Sequence, residues 1–243
     1  MAIALIVAAG RGVRMGADRP KQLLELAGIP ILAHVVAAFE RAASIERIVL
    51  SVPAGERERC RQAAVGRMGP RKPIALVDGG AERQASVYNG LMAMTEAGDD
   101  EVVAIHDGVR PFIDPDLIDR CVAAARCHGS CLPVMAVAET VKRVDDQGIV
   151  VASADRRRLR LAQTPQAFQL GLIRRAHQNA RRRRLSATDD AALVEALGER
   201  VPTIAGHRFN IKITTPEDLA LAQGILAAGL WAPLIPGNRG STV

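Results

Sequence analysis

Residues 2–22 read Ala2-Ile3-Ala4-Leu5-Ile6-Val7-Ala8-Ala9-Gly10-Arg11-Gly12-Val13-Arg14-Met15-Gly16-Ala17-Asp18-Arg19-Pro20-Lys21-Gln22. An apolar run rich in β-branched residues stops at Gly10, Gly12 and Gly16, among Arg11, Arg14 and Lys21. This predicts a buried strand opening into a loop whose backbone can approach an anion. Glycine allows the close approach; exposed N–H groups and basic side chains supply the positive field. The P-loop pattern is absent, since no Gly-Lys-Ser/Thr string follows. The dinucleotide fingerprint fails too. Its third glycine comes one residue late, and the second apolar run ends in Ser51-Val52-Pro53 rather than in an acid. A plain tight turn would not need the cations beside it.

The rest of the composition narrows the ligand. Only four of the 32 Lys plus Arg residues are lysines: Lys21, Lys72, Lys142 and Lys212. Where arginine is the default cation, a retained lysine is a candidate for a position that needs a compact point charge rather than a planar fork. Lys21 and Lys212 lie beside other polar signals and are read as functional. Lys72, between Arg71 and Pro73, reads as surface, and Lys142 is undecided. The net charge of +6 suits an anionic ligand without requiring nucleic acid. The run Arg181–Arg184 has no aromatic platform in a chain with one Trp, one Tyr and four Phe, so it reads as a solvated helix end. No apolar run is long enough to span a membrane. The start lacks a basic leader segment, and a cytoplasmic enzyme is expected. Cys60, Cys121, Cys127 and Cys131 form no C-x-x-C pair and read as reduced, mostly buried thiols rather than a zinc site at Cys127, His128 and Cys131.

At 243 residues the chain can bury one sizeable core. Strand-like runs at 2–8, 47–52, 73–77, 101–106 and 131–136 alternate with helix-like stretches at 30–43, 55–64, 83–96 and 115–126. The spacing predicts βαβ units and an α/β fold with a mostly parallel sheet. Ligands of such sheets sit beyond the carboxyl ends of the strands. That edge would gather the Gly10 loop, Asp78-Gly79-Gly80 and His106-Asp107-Gly108-Val109-Arg110-Pro111. His106 reads as a structural hydrogen-bonding residue at a strand end. The alternation breaks at 139–160, a polar, β-prone stretch with a hairpin signal at Asp145-Asp146-Gln147-Gly148. It reads as a protruding arm of the kind that packs on a partner subunit. Helices are expected at 170–183 and 189–196, a strand at 208–213, then a helix capped by Thr215 with Pro216 in its first turn. Residues 1–228 are read as one domain and 229–243 as a loose tail.

Taken together, the motifs closely resemble the 2-C-methyl-D-erythritol 4-phosphate (MEP) cytidylyltransferase family. These are Ala8-Ala9-Gly10 through Arg14, Pro20-Lys21-Gln22, Asp78-Gly79-Gly80 with Glu82-Arg83 and Ser86-Val87, His106-Asp107, and Arg110-Pro111. The series continues with Thr140-Val141-Lys142, Asp155-Arg156, Thr164-Pro165-Gln166, Thr188-Asp189 and Asn210-Ile211-Lys212. The resemblance reaches to about Leu226. It implies a nucleotidyltransferase of glycosyltransferase-A-like, Rossmann-type fold that uses CTP and a sugar-alcohol phosphate in isoprenoid precursor synthesis.

By the same resemblance, Ala8, Ala9, Gly10, Gly12, Gly79, Gly80 and Ser86 would hold the nucleotide, with Asp107 and Gly108 near a Mg²⁺-bound triphosphate. Arg14 and Lys21 would stabilise the transition state. Arg110, Thr140, Arg156, Thr164, Thr188 and Lys212 would surround the sugar phosphate. A homodimer is implied in which Arg156, on the arm, serves the neighbouring site. Two departures stand out: Ala81 occupies a position where relatives often carry Asp, and Gly108-Val109 replaces the commoner Ala-Ala. The rival readings are a ribitol-5-phosphate cytidylyltransferase, a guanylyltransferase acting on molybdenum cofactor, and a non-catalytic nucleotide-binding module. Joint retention of Arg14, Lys21, Asp107 and Lys212 argues against the last.

Overall fold

The structure is a computed structural model that describes residues 2–10, 20–65, 69, 71–232 and 234–235. Gly12 and Arg14 lie outside the described residues. The first half alternates as the sequence predicts: β1 (Ala2–Val7), a small hairpin of β2 (Glu25–Leu26) and β3 (Ile29–Pro30), then α1 (Ile31–Arg41), β4 (Arg47–Val52) and α2 (Arg57–Val65). It continues through β5 (Ile74–Asp78), α3 (Arg83–Met92), β6 (Val102–Asp107), α4 (Pro115–His128) and β7 (Ser130–Ala136). The second half holds β8 (Lys142–Val144), β9 (Val150–Ser153), β10 (Arg160–Ala162), β11 (Gln166–Gln169), α5 (Leu170–Arg183), α6 (Asp190–Glu195), β12 (Thr203–Ala205) and α7 (Pro216–Ala227).

The main sheet has the order β10-β7-β11-β6-β1-β4-β5, with β12 also paired to β7. β1 lies parallel between β4 and β6, and β5 extends the parallel part beyond β4. β11 runs antiparallel between β6 and β7. Both faces of β1 are buried, as a covered parallel strand requires. Ala2, Ala4, Ile6 and Ala8 enter a core built with α1 and α4, while Ile3 and Leu5 enter a second one with α3 and α5. Termini follow local chemistry. Asp114 caps α4, with Pro115 in its first turn and Gly129 at φ +84° closing it. Thr215 and Asp218 form a reciprocal capping box on α7.

The arm is present as an antiparallel β8–β9 hairpin separate from the main sheet. Its turn is held by the Asp145 carboxylate, which accepts the Gln147 and Ile149 amides at 3.0 and 2.9 Å. Val144, Ile149, Val150 and Val151 are exposed on it.

Three expectations change. Residues 208–213 form no strand, because the amides of Asn210 and Ile211 turn back to His207 and Phe209 at 3.0 and 2.6 Å. β12, upstream of them, pairs with β7 instead. Lys72 is not a surface residue by default: its ammonium donates to the Phe39 and Ala42 carbonyls at 2.9 and 2.5 Å, capping the end of α1. The tail is not loose throughout, since Ile235 packs on Ile29, Ala33 and Ala37, and Arg41 donates to the Leu234 carbonyl. Among the described residues, no helix is long and apolar enough to cross a membrane.

Candidate active site

From β1 the chain passes to β4 and β5 on one side, then returns to place β6 on the other. The crevice beyond the carboxyl ends of β1 and β6 is therefore the topological switch point, where open α/β sheets take their ligands. A cleft of about 980 Å³ lies there. Its floor continues the sheet ladder. The Ala8 amide donates to Ser51 O at 2.7 Å, Gly79 to Val52 O at 2.8 Å, and Gly108 to Val7 O at 2.9 Å. Gly79, Gly80 and Gly108 are needed for space rather than for unusual φ. A Cβ on Gly79 would lie 2.2 Å from the Ala9 Cβ, and one on Gly108 would lie 2.9 Å from the Ala8 Cβ. Ser86 braces the floor from behind: its hydroxyl accepts the Gly80 amide at 3.0 Å and donates to Glu82 O at 2.9 Å.

Lys21 opens a single 3₁₀ turn, Lys21–Leu23, that follows Pro20. Gln22, fully buried, donates its amide to the Ala8 carbonyl and so ties this turn to the end of β1. The Lys21 side chain thereby reaches the Gly10 loop, where a Cβ on Gly10 would lie 3.7 Å from Lys21 Cε.

Opposite stands Asp107, at the end of β6. Its carboxylate meets Arg83 Nε at 2.8 Å, Lys212 Nζ at 3.0 Å and Arg110 Nε at 3.4 Å. Burial alone would raise the Asp107 carboxyl. Arg83, Lys212 and Arg110 together outweigh it and hold the group well below the usual carboxylate range. Lys212 comes from an irregular segment rather than from the expected strand end, and reaches the same cleft as the Gly10 and Gly79-Gly80 loops.

A family model for "IspD: 2-C-methyl-D-erythritol 4-phosphate cytidylyltransferase" matches residues 2–228. The chain belongs to this family. A MEP cytidylyltransferase of Pelotomaculum thermopropionicum is 46% identical over 225 residues, covering 93% of this chain and 94% of the relative. One of Geobacter metallireducens is 49% identical, with 92% and 96% covered. The crystal structure of 4-diphosphocytidyl-2C-methyl-D-erythritol synthase from Anaerococcus prevotii superposes with a TM-score of 0.82 at 30% identity, covering 93% of this chain and 96% of that one.

Within this cytidylyltransferase framework, the residues singled out from the sequence fall into two groups. Ala8, Ala9, Gly10, Lys21, Gly79 and Gly80 line the cleft, as do Ser86, Asp107 and Lys212. Arg110 and Thr164 stand behind its wall. Arg110 donates to the Asn210 carbonyl at 2.7 Å as well as to Asp107. Thr164 is 4% exposed, and its hydroxyl is shared between the Asp107 amide at 3.3 Å and His106 Nδ1 at 2.9 Å. Both support the Asp107 loop rather than facing the cleft. Thr140, Arg156 and Thr188 are exposed and outside the cleft lining, with Arg156, on the arm, donating to the Ala138 carbonyl just before it. Arg83 and Gln22 stand within the sequence motifs without a predicted role of their own; the structure gives each a side-chain bond that shapes the wall.

His106 is structural, as read from the sequence. Its Nε2–H donates to the Arg110 carbonyl at 3.2 Å, while Nδ1 accepts from Thr164. Complete burial lowers its pKa to about 4. The unfolded chain therefore takes up this proton first as pH falls, and stability declines between about pH 6.5 and 4. The decline attributable to His106 is roughly 3 kcal/mol. Urea titrations across that range should show a shallower loss in His106→Gln than in the parent chain. Equal slopes would place the acid sensitivity elsewhere.

Proposed function

We propose that this chain transfers CMP from CTP to 2-C-methyl-D-erythritol 4-phosphate, giving 4-(cytidine 5′-diphospho)-2-C-methyl-D-erythritol and pyrophosphate. The observation that carries the reading is a cleft with a backbone floor and the cations Lys21, Arg83 and Lys212 on its walls, in a chain matched by the family over nearly its whole length. The second pKa of a phosphate monoester is near ~6, so the acceptor phosphate is already largely ionised at neutral pH. Its oxygen attacks the α-phosphorus of CTP in line. The bond to the β-phosphate breaks, and its electrons leave on pyrophosphate. A general base is not required, and the fully buried His106 is in no position to serve as one. Catalysis then rests on positioning and on charge stabilisation at the α-phosphate. Ala8 to Gly10 and Gly79-Gly80 offer backbone to the nucleotide. Lys21, with Arg14, grips the triphosphate, and Lys212 leaves Asp107 to meet substrate phosphate.

Mg²⁺ fits this site as a companion of the triphosphate. Among the described residues, no three His, Cys, Asp or Glu side chains lie close enough to hold a metal ion. Asp107, one of the carboxylates lining the cleft, would meet a cation which otherwise keeps phosphate oxygens and water. When bound, Mg²⁺ would supply neutralisation of the triphosphate charge. The exposed apolar side chains of the β8–β9 hairpin support a homodimer with exchanged arms, in which Arg156 serves the neighbouring site. The reaction is placed in the cytoplasm.

The direct test offers CTP and Mg²⁺ with MEP or with ribitol 5-phosphate and measures pyrophosphate release. Release with MEP is expected. Release with ribitol 5-phosphate alone would move the chain to the other alcohol.

A further inference from the structure

Arg83 opens α3, a helix whose start carries neither an acidic residue in its first turn nor a capping side chain. A cation there opposes the positive end of the helix dipole, so its place has to be imposed by partners. Its guanidinium bridges two carboxylates, with Nε on Asp107 and Nη1 on Asp190, each at 2.8 Å. The second Asp190 oxygen accepts a hydrogen bond from His177 Nε2 at 3.1 Å, and both side chains are 1% exposed. Asp190 is held from the main chain as well. Gln166 Oε1 accepts the amides of Asp190 and Ala191 at 3.1 and 2.9 Å. Gln84, next to Arg83, ties α3 to the loop between α5 and α6 through Leu185 O and the Ala187 amide, both at 3.0 Å.

We propose that His177, which lies outside the catalytic cleft, is a positioning residue for nucleotide binding: it fixes Asp190, Asp190 fixes Arg83, and Arg83 sets Asp107 and the α3 end of the cleft wall. The inference rests on the cleft being the CTP site. Its physical basis is the division of one guanidinium between two buried carboxylates. A carboxylate can only accept hydrogen bonds. Without the His177 donor, the freed Asp190 oxygen turns to the nearest remaining cation. Arg83 then pairs with Asp190 through both branches, a geometry that guanidinium and carboxylate favour. Asp107 loses its Arg83 bond and closes on Lys212 and Arg110. The cleft keeps its shape but presents less free positive charge to a triphosphate.

The test is a double-substitution cycle read by calorimetric titration of CTP and Mg²⁺ into the full-length protein, well below each variant's melting temperature. His177→Leu should weaken CTP binding about tenfold, a coupling ordinary for members of one buried network. His177→Gln, which keeps an N–H donor, should bind within about twofold of the parent. In an Arg83→Gln background, His177→Leu should change affinity little, because the relay is already cut. His177→Phe serves the same purpose if the Leu variant does not fold. Independent, multiplying effects of the two substitutions would overturn the proposal, as would parental affinity in both apolar His177 variants. If the parent protein itself binds no CTP, the reading of the cleft fails first and this inference falls with it.

Discussion

Lys21→Ala is expected to lower pyrophosphate release from CTP and MEP by about 10²-fold or more, the usual effect of deleting one charge donor at a developing oxyanion. The fold should persist, because the buried side chains of that turn are those of Gln22 and Leu23. Lys21→Arg should recover only part of the rate, since a broad fork replaces a point charge beside the Gly10 loop. Near-parental turnover in Lys21→Ala would remove this residue from the catalytic set. The same variant tests the arm. Lys21→Ala and Arg156→Ala subunits, each nearly inactive alone, are mixed under confirmed subunit exchange. If Arg156 serves the neighbour, one site of a mixed dimer carries both lesions and the other carries none. About a quarter of parental activity then returns. If Arg156 serves its own subunit, every site keeps one lesion, and nothing returns.

The second large effect is on stability. Asp107→Ala leaves Arg83, Arg110 and Lys212 without the carboxylate they share. Removing one partner from a buried ion pair costs about 3–5 kcal/mol because the surviving charge stays desolvated. Arg83 keeps Asp190, and the half-exposed Lys212 can turn to water, so Arg110, 12% exposed, bears most of the loss. Urea denaturation should therefore show a loss toward the lower end of that range, with smaller loss in Asp107→Ala/Arg110→Met. A single variant as stable as the parent would mean that the cluster relaxes into solvent. Turnover should fall in Asp107→Ala whether or not stability does.

These effects could be aimed because much of the molecule was legible in the sequence, though unevenly. The strands and helices from β1 to α4 carry their own periodicity, and their ends follow local signals such as Asp114-Pro115 and Gly129. β11 carries no such signal. Gln166-Ala167-Phe168-Gln169 is too short and too polar at its ends to show a period, and its place between β6 and β7 follows from antiparallel pairing with residues far away in sequence. Residues 208–213 mislead in the opposite sense. Phe209, Ile211 and Ile213 alternate like a strand, but their apolar faces meet α7 and Phe112 rather than a sheet.

The site shows the same division. The cleft floor is local chain continuing from strands, so Ala8 to Gly10 and Gly79-Gly80 could be read from motif and edge alone. Burial decides the rest. Thr164 and Arg110 look like ligand contacts in a motif; in the fold their side chains bond the Asp107 amide and His106, and the Asn210 carbonyl and Asp107. The pairing of Arg83 with Asp190, 107 residues later, has no local signature at all.

The cleft floor also limits how this enzyme could be re-engineered. The Ala8, Gly79 and Gly108 amides continue the sheet ladder past the strand ends, and the side chains packed against the two glycines are small, from Ala8, Ala9, Ser51 and Ser86. A designer who wants another base or sugar in the cleft cannot widen the floor without opening the middle of the core, and cannot narrow it without a collision. Changes of preference have to be made at the rim, at positions such as Ala81, Glu82 and Pro53 that line the cleft outside the ladder. Ala81, already the smallest chiral residue and exposed, is a rim position where a side chain can be added.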